Sequence, residues 1–391
     1  MASRLFDWTV RSLALVSDPP MVPSAATPGT RWFMPGEILL SGRASAAQRG
    51  WIFLLLAQQC GLDGAMLATG DAASGNLRPW VPAIVSEGQA YLFEPTYGMP
   101  VPGPGGVGVA TARQAAEDPT VLAGLSLPDK PYPLGPADMT DLKILVAADP
   151  WDLSRRMATL DGDLAARHGV HVAVAASRMA AAAAAALPTD STPVLGVWEF
   201  PWETVGRRGA VAAGVEAVVT RELAPLEIAF VAPGPAGRPA RTVRPLFAAR
   251  VREFRGDLEG PEGAKAAYLA ARPSRTVLAD AVRQLPPEQA ENASRLYGRM
   301  KEDATYWLGV LTLGEGEYAA AVDYLGRMTL QAAPDSRWTD AARTNLARAL
   351  IGLGRIDEAV AALRADGSPQ RFGSRILADR LERSAAEAVG R

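Results

Sequence analysis

Apolar positions change their spacing several times along the chain, and each change marks an element. From Ala46 to Gln59 the spacing puts Ile52, Phe53, Leu55 and Leu56 on one broad face, which predicts a helix. Gly42 and Ser45 precede it as breaker and cap, and Gly61 follows as a left-handed terminator. Ala65 to Leu67 begins a strand. Val81 to Val85 and Tyr91 to Phe93 give two more, split by the turn Ser86-Glu87-Gly88-Gln89. Upstream, Phe6, Trp8, Val10 and Leu13 form a packing face. Residues 18 to 38 are Pro-rich and predict a connecting loop, pinned by Trp32, Phe33 and Met34.

Downstream, Thr111 caps a short helix and Pro119 starts another. Residues 128 to 139 are again Pro-rich and predict a linker. Asp141 to Ala147 fits a strand or a helix start, and Leu153 to His168 an amphipathic helix ended by Gly169. His171 to Ala175 and Val194 to Phe200, with Trp198, fit strands. The Ala-rich run Ala176 to Leu187 is too short and too weakly apolar to span a membrane. A helix is expected within Arg208 to Leu226, then a loop from Ala232 to Arg241. From Val243 onward every segment has a helical pattern.

Two late blocks repeat, TYWLGVLTLGEGEYAAAVDYLGRM and RTNLARALIGLGRIDEAVAAL. Leu308-Gly309 aligns with Leu346-Ala347, Gly316 with Gly354, Tyr318 with Ile356, and Ala321-Val322 with Ala359-Val360. The pattern resembles the tetratricopeptide repeat, with small residues where two helices cross and Gly at the turn between them. The family period is about 34 residues, so the wider spacing here places an insert of roughly four residues near Ala333 to Trp338. Gly263 to Ala271 and Ala293 to Met300 fit degenerate helices of the same array, and Phe372 to Val389 its terminal helix. Such repeats either bind a protein or peptide partner or only pack against the preceding domain. Arg343, Arg348 and Arg355 would make the surface locally basic and suited to an acidic partner.

The chain has 391 residues, enough for two or three domains, and its hydrophobic share of 48% supplies a sizeable core. Its net charge of -2 argues against a general nucleic-acid binder. One Cys excludes an internal disulfide framework. The excess of Arg over Lys and the abundance of Ala fit a GC-rich genome. Asp7 and two Arg interrupt the first residues, so no signal peptide is evident. The chain as it stands fits the cytoplasm, unless an upstream segment with a targeting signal precedes it.

Candidate chemistry is sparse. Gly103, Gly105 and Gly108 make a formal G-x-G-x-x-G, but Pro100, Pro102 and Pro104 crowd it and no βαβ unit surrounds it. An ordered loop is expected, and no cofactor. His168 and His171 stand three apart at a helix end, a poor metal pair, and Cys60 on the apolar helix should pack as a small hydrophobe, so no metal site is expected. Asn292-Ala293-Ser294 is a formal glycosylation acceptor that means little without a secretory signal.

The segments LSGRASAAQRGWIFLLLAQQCGLDGAML, RPWVPAIV and AYLFEPTYGMP together resemble the transglutaminase-like core, a branch of the papain-like thiol enzymes. That family carries a nucleophilic Cys at a helix start before a Gly-Ile or Gly-Leu, a His two places before a Trp, and an Asp before Pro-Thr. The anchors here are Gly61-Leu62, Trp80 and Pro95-Thr96. The resemblance then puts Ala46 at the Cys position, Arg78 at the His position and Glu94 at the Asp position. Ala46 offers no nucleophile, Arg78 stays protonated and cannot act as a base, and Glu94 has no imidazole to orient. Ser45 would need a base, and the stretch holds no His.

The expected architecture is therefore α+β. A degenerate transglutaminase-like core covers 1–125, and a mixed α/β extension covers 126–242, separate or part of the same domain. Tetratricopeptide-like helical repeats cover 243–391. The composite resembles bacterial proteins that join these two modules. The expected function is non-catalytic interaction or assembly, with a protein or peptide partner on the repeats, no nucleic acid and no membrane span. The alternative is a transglutaminase-like acyltransferase or peptidase whose active centre lies elsewhere. A third reading has a peptide bound in the old cleft, with Arg78 and Trp80 at its wall.

Overall fold

Three phenylalanines far apart in sequence meet at the centre of the first part of the molecule. Phe6 comes from α1 (Ala2–Ser12), Phe53 from α2 (Ala46–Gln59), and Phe93 from the third strand of the main sheet. Their ring centroids lie 4.8–5.1 Å apart in edge-on and tilted pairs. Burying each ring contributes about 2 kcal/mol of transfer free energy. The computed structural model describes residues 1–17, 33–70, 77–148, 152–172, 175–188, 194–209, 212–232 and 241–389. Trp32 and the prolines at 19 to 28 lie outside these residues, whereas Phe33 is fully buried.

The chain forms two compact units. The first comprises 1–35, 43–215 and 369–376, and the second 36–42, 216–368 and 377–391. These units exchange short pieces across the sequence segments 1–125, 126–242 and 243–391.

In the first unit the strands of the main sheet are β1 (Asp63–Thr69), β2 (Arg78–Ser86), β3 (Gln89–Glu94), β4 (Met99–Pro100), β5 (Lys143–Val146) and β6 (Leu195–Val197). They form one sheet in the order β4-β3-β2-β1-β5-β6. Neighbours are antiparallel except β5 and β6, which are parallel. The expected β2–β3 turn is present. Ser86 pairs with Gln89, and Glu87 and Gly88 take φ of 52° and 72°. Left-handed backbone at both central positions matches the right-handed twist of a two-residue hairpin.

Helix α2 starts as expected. The Ser45 side chain accepts from the Gln48 N–H, and the Gln48 side chain accepts from the Ser45 N–H. The expected single apolar face needs correction. Trp51, Ile52, Phe53 and Leu54 are all buried, together with Gln48, Arg49 and Gln58, whereas Leu55 and Leu56 are half-buried. The helix is enclosed nearly all round, so its 3.6-residue period does not decide which side chains are covered. Gly61 ends it with φ of 71°, and Cys60 beside it is exposed rather than packed.

Further differences follow the same logic. Arg155–His168 is a helix capped by Ser154 and ended by left-handed Gly169, but it buries no residue. His171 and Val172 are not in a strand, because the Asp161 carboxylate takes the Val172 N–H that a ladder would use. Residues 173 and 174 lie outside the described set. Trp198 is buried just after β6, where the chain turns into the helix Glu199–Arg208. A second helix spans Ala212–Glu227. The Gly-rich stretch forms a hairpin at the sheet edge. Val101 N–H donates to Leu92 O, Ala110 N–H donates to Val101 O, and Gly105, Gly106 and Gly108 all have positive φ. No strand–turn–helix cradle forms there.

The second unit contains α3 (Pro245–Arg255), α4 (Ala264–Ala270) and α5 (Pro287–Gly314). Then come α6 (Tyr318–Val322, continued by a π-helix over Asp323–Gln331), α7 (Thr339–Gly352) and α8 (Ile356–Arg364). Ala293 to Met300 is not a separate repeat helix but lies within the first half of α5, which runs unbroken through Gly298 and Gly309. The doubled pattern appears as doubled structure. Helix ends Gly314 and Gly352, turn residues Gly316 and Gly354, and helix starts Tyr318 and Ile356 share one offset. Both turn glycines take positive φ, 80° and 71°.

Where the helices cross, Ala321, Ala347 and Ala359 are fully buried, and a Cβ on Gly309 would lie 2.7 Å from Leu325. Leu350, Leu363 and Ala378 complete the second core. The expected insert is divided. Part is the loop after Gln331, and part is α6 itself, whose 9-residue π run extends it well past the length of α8.

Candidate functional site

Ala46 is the first residue of α2, directly after the Ser45 cap, and is half-buried. Three residues on, buried Arg49 ties that first turn to its surroundings. Its Nε and Nη2 donate to Leu13 O at 2.9 and 2.6 Å, and its Nη1 donates to Pro95 O at 3.1 Å and Gln370 Oε1 at 2.6 Å. The helix start is thereby held against the residue that follows Glu94. A buried guanidinium needs this density of acceptors, because an unpaired one would cost several kcal/mol.

Arg78 and Glu94 lie on the neighbouring strands β2 and β3. The β2–β3 ladder runs from Ser86–Gln89 to Ala83–Leu92, so Arg78 stands beyond its paired part, beside Thr69 of β1, and is exposed. Glu94 is buried, and both of its oxygens are taken. Oε1 accepts from the Thr96 N–H at 2.9 Å, and Oε2 accepts from the Tyr132 hydroxyl at 2.5 Å. That hydroxyl in turn accepts from Trp80 Nε1 at 2.6 Å. A bulge helps to aim Trp80, since Trp80 and Val81 together oppose the single residue Leu67 between the pairs Met66–Pro82 and Ala68–Pro79.

Sequence reasoning missed Tyr132. It lies in the stretch expected to be a linker, which here is a strap across the site. The strap is fixed at its other end by Asp129 paired with Arg375 at 2.8 Å, and by Lys130 over the Phe372 ring. A tyrosine between Pro131 and Pro133 was the signal in the sequence, but nothing local names its partner.

Burial raises the pKa of Glu94, against the lowering effect of the Tyr132 and Thr96 hydrogen bonds. Burial, and then the charge of Glu94, push Tyr132 well above the usual phenol value. The pair forms a closed hydrogen-bonded unit with no imidazole and no thiol in it.

The other candidates separate. His171 Nδ1 meets Asp161 at 3.2 Å on the surface, and His168 is the last residue of its helix. Among the described residues one group of three carboxylates converges, Glu259, Glu315 and Glu317. Lys265 Nζ stands among them at 2.5, 2.9 and 3.0 Å, so a side-chain ammonium supplies their counter-charge. In the repeats, Arg343 pairs with Asp340 at 2.9 Å and Arg355 with Glu358 at 2.7 Å. The expected basic surface is therefore partly neutralised within each helix.

No helix among the described residues is long and apolar enough to cross a membrane. The tetratricopeptide repeat family matches residues 312–375, which take in the end of α5, then α6, α7 and α8, and the start of the last helix. The C-terminal part of the chain thus contains a tetratricopeptide-repeat region. No curated protein and no solved structure matches the chain.

Proposed function

We propose that this protein is a non-catalytic interaction or assembly protein, in which a degenerate transglutaminase-like core accompanies a repeat region that takes a protein or peptide partner. The observation that carries the reading is the tetratricopeptide match over residues 312–375, laid on two helix–turn–helix units with corresponding ends. Stacked helix pairs of this kind present extended surfaces to partner chains. The loss of catalysis is supported by the methyl group of Ala46 at the helix start and by the full occupation of Glu94 by Tyr132 and Thr96.

Cross-linking in extract of the source cells, read by mass spectrometry, tests the first half. Cross-links to one reproducible partner should concentrate in residues 312–375. A partner cross-linked instead through residues around Arg78, and lost with Arg78→Ala, would move binding to the old cleft. For the second half, the purified chain is given a glutamine-bearing peptide and an amine donor. Product formation that disappears in Ser45→Ala would overturn the non-catalytic reading.

A further inference from the structure

A cavity of about 560 Å³ opens in the second unit, lined by the middle of α5 between Gly298 and Thr305, the π-helical end of α6 with the two alanines that follow it, and Arg272. The second repeat contributes no lining residue. The volume is in the range of ligand sites. Its charge is uneven: Arg272, Lys301 and Arg327 line it against one acid, Glu302. Arg327 is already engaged by Asp323, through Nε at 2.6 Å and Nη2 at 3.0 Å.

Arg272 is different. Among the described residues it meets no carboxylate at ion-pair distance. Its Nη2 donates to the Met328 sulfur at 3.4 Å, its guanidinium stands 5.6 Å from the Tyr324 ring centroid, and its Nε is buried without an acceptor. A thioether is a weak acceptor, so this fork lacks the partner that guanidinium geometry fits best. Lys301, exposed on α5, also has no ion pair among the described residues. With Arg327 neutralised, two cations face one acid, a balance that suits a single negative charge better than a doubly charged phosphate. Met328, Ala332 and Ala333 give the cavity an apolar side. The π run, with the Thr329 hydroxyl donating to Tyr324 O five residues back, widens the turn that carries Arg327 and Met328. Such segments often mark functional sites.

We propose that this cavity binds an acidic peptide segment, with Arg272 and Lys301 gripping one carboxylate while a neighbouring apolar side chain rests on Met328 and the two alanines. The inference rests on the reading of the repeat region as partner-binding and names the chemistry of that partner.

The test uses the full chain and a fluorescein-labelled, end-blocked hexapeptide of alternating leucine and glutamate, followed by anisotropy. The counterpart with glutamine for glutamate is the control, and inorganic phosphate is the competitor. The glutamate peptide should bind saturably, at least about tenfold tighter than the glutamine peptide, and more weakly as salt rises. Arg272→Met and, separately, Lys301→Met should each weaken it by about tenfold, whereas Arg355→Met should not. Lys301 is exposed, so its variant keeps the test valid if Arg272→Met fails to fold. Equal binding of the two peptides, no binding up to about 1 mM, or displacement by equimolar phosphate would each overturn the proposal. Partner cross-links that persist in 312–375 after such a result would leave the function reading standing. Their absence would remove that reading separately.

Discussion

At the residue scale, Glu94 is a buried acid whose proton is linked to folding. Its pKa in the folded chain lies above its unfolded value, so folding favours the neutral form. The stability this group adds is complete below its unfolded pKa and is lost as pH rises through the folded one. Glu94→Gln cannot ionise and should remove that loss. In urea denaturation the variant should gain stability relative to the parent as pH rises through the folded pKa of Glu94. A stability difference independent of pH would show that Glu94 has the same protonation in both states. A second pair of substitutions uses one helix. A Cβ on Gly309 would lie 2.7 Å from Leu325, whereas one on Gly298 meets nothing within 4 Å. Gly309→Ala should cost about 1–3 kcal/mol through overpacking, despite the better helix propensity of Ala. Gly298→Ala should add about 0.5–1 kcal/mol, and chemical denaturation of both reads the contrast.

At the element scale, what the sequence made legible is what neighbouring residues decide. The β2–β3 hairpin was readable from Glu87-Gly88, because only certain residues accept left-handed backbone. The repeated helix pairs were readable because Gly316 and Gly354 punctuate two equivalent apolar patterns. The start of α2 was readable from Ser45, which the structure shows as its cap. The parts that could not be read depend on distant partners. Tyr132 looks like a linker residue until Glu94 and Trp80 are placed beside it. The π-helical end of α6 gives no periodic signal distinct from an α-helix. The one-sided face assigned to α2 failed because packing on several sides overrides amphipathic spacing. The strap gives its own test. Tyr132→Phe removes the donor to Glu94 and the acceptor of Trp80 Nε1, and should cost about 1–3 kcal/mol. Limited proteolysis should then cut residues 126–135 sooner than in the parent, and unchanged cleavage would mean the hydroxyl does not hold the strap.

At the scale of the whole chain, the first unit is completed by residues 369–376. Gln370 accepts from Arg49 at 2.6 Å and lies against Gly98, where a Cβ would come within 2.6 Å of its amide. Gly373 lies so close to the Tyr97 carbonyl that a Cβ would stand 1.9 Å from it. Arg375 holds Asp129. A chain truncated after Ser368 should therefore lose hydrogen-exchange protection in α2 and β3, elements hundreds of positions upstream. Protection equal to that of the full chain would show the segment to be dispensable.

This arrangement also sets an order of events at the ribosome. Synthesis runs from the N-terminus, and compact pieces usually close as they emerge. Here the peptide that supplies Gln370 and Gly373 is made 321 residues after Arg49. Arg49 must wait for one of its acceptors until the repeats have already left the exit tunnel. The first unit thus closes only after most of the second has been made, and a message cut short before the codon for residue 369 would yield a nascent chain whose first unit stays unclosed.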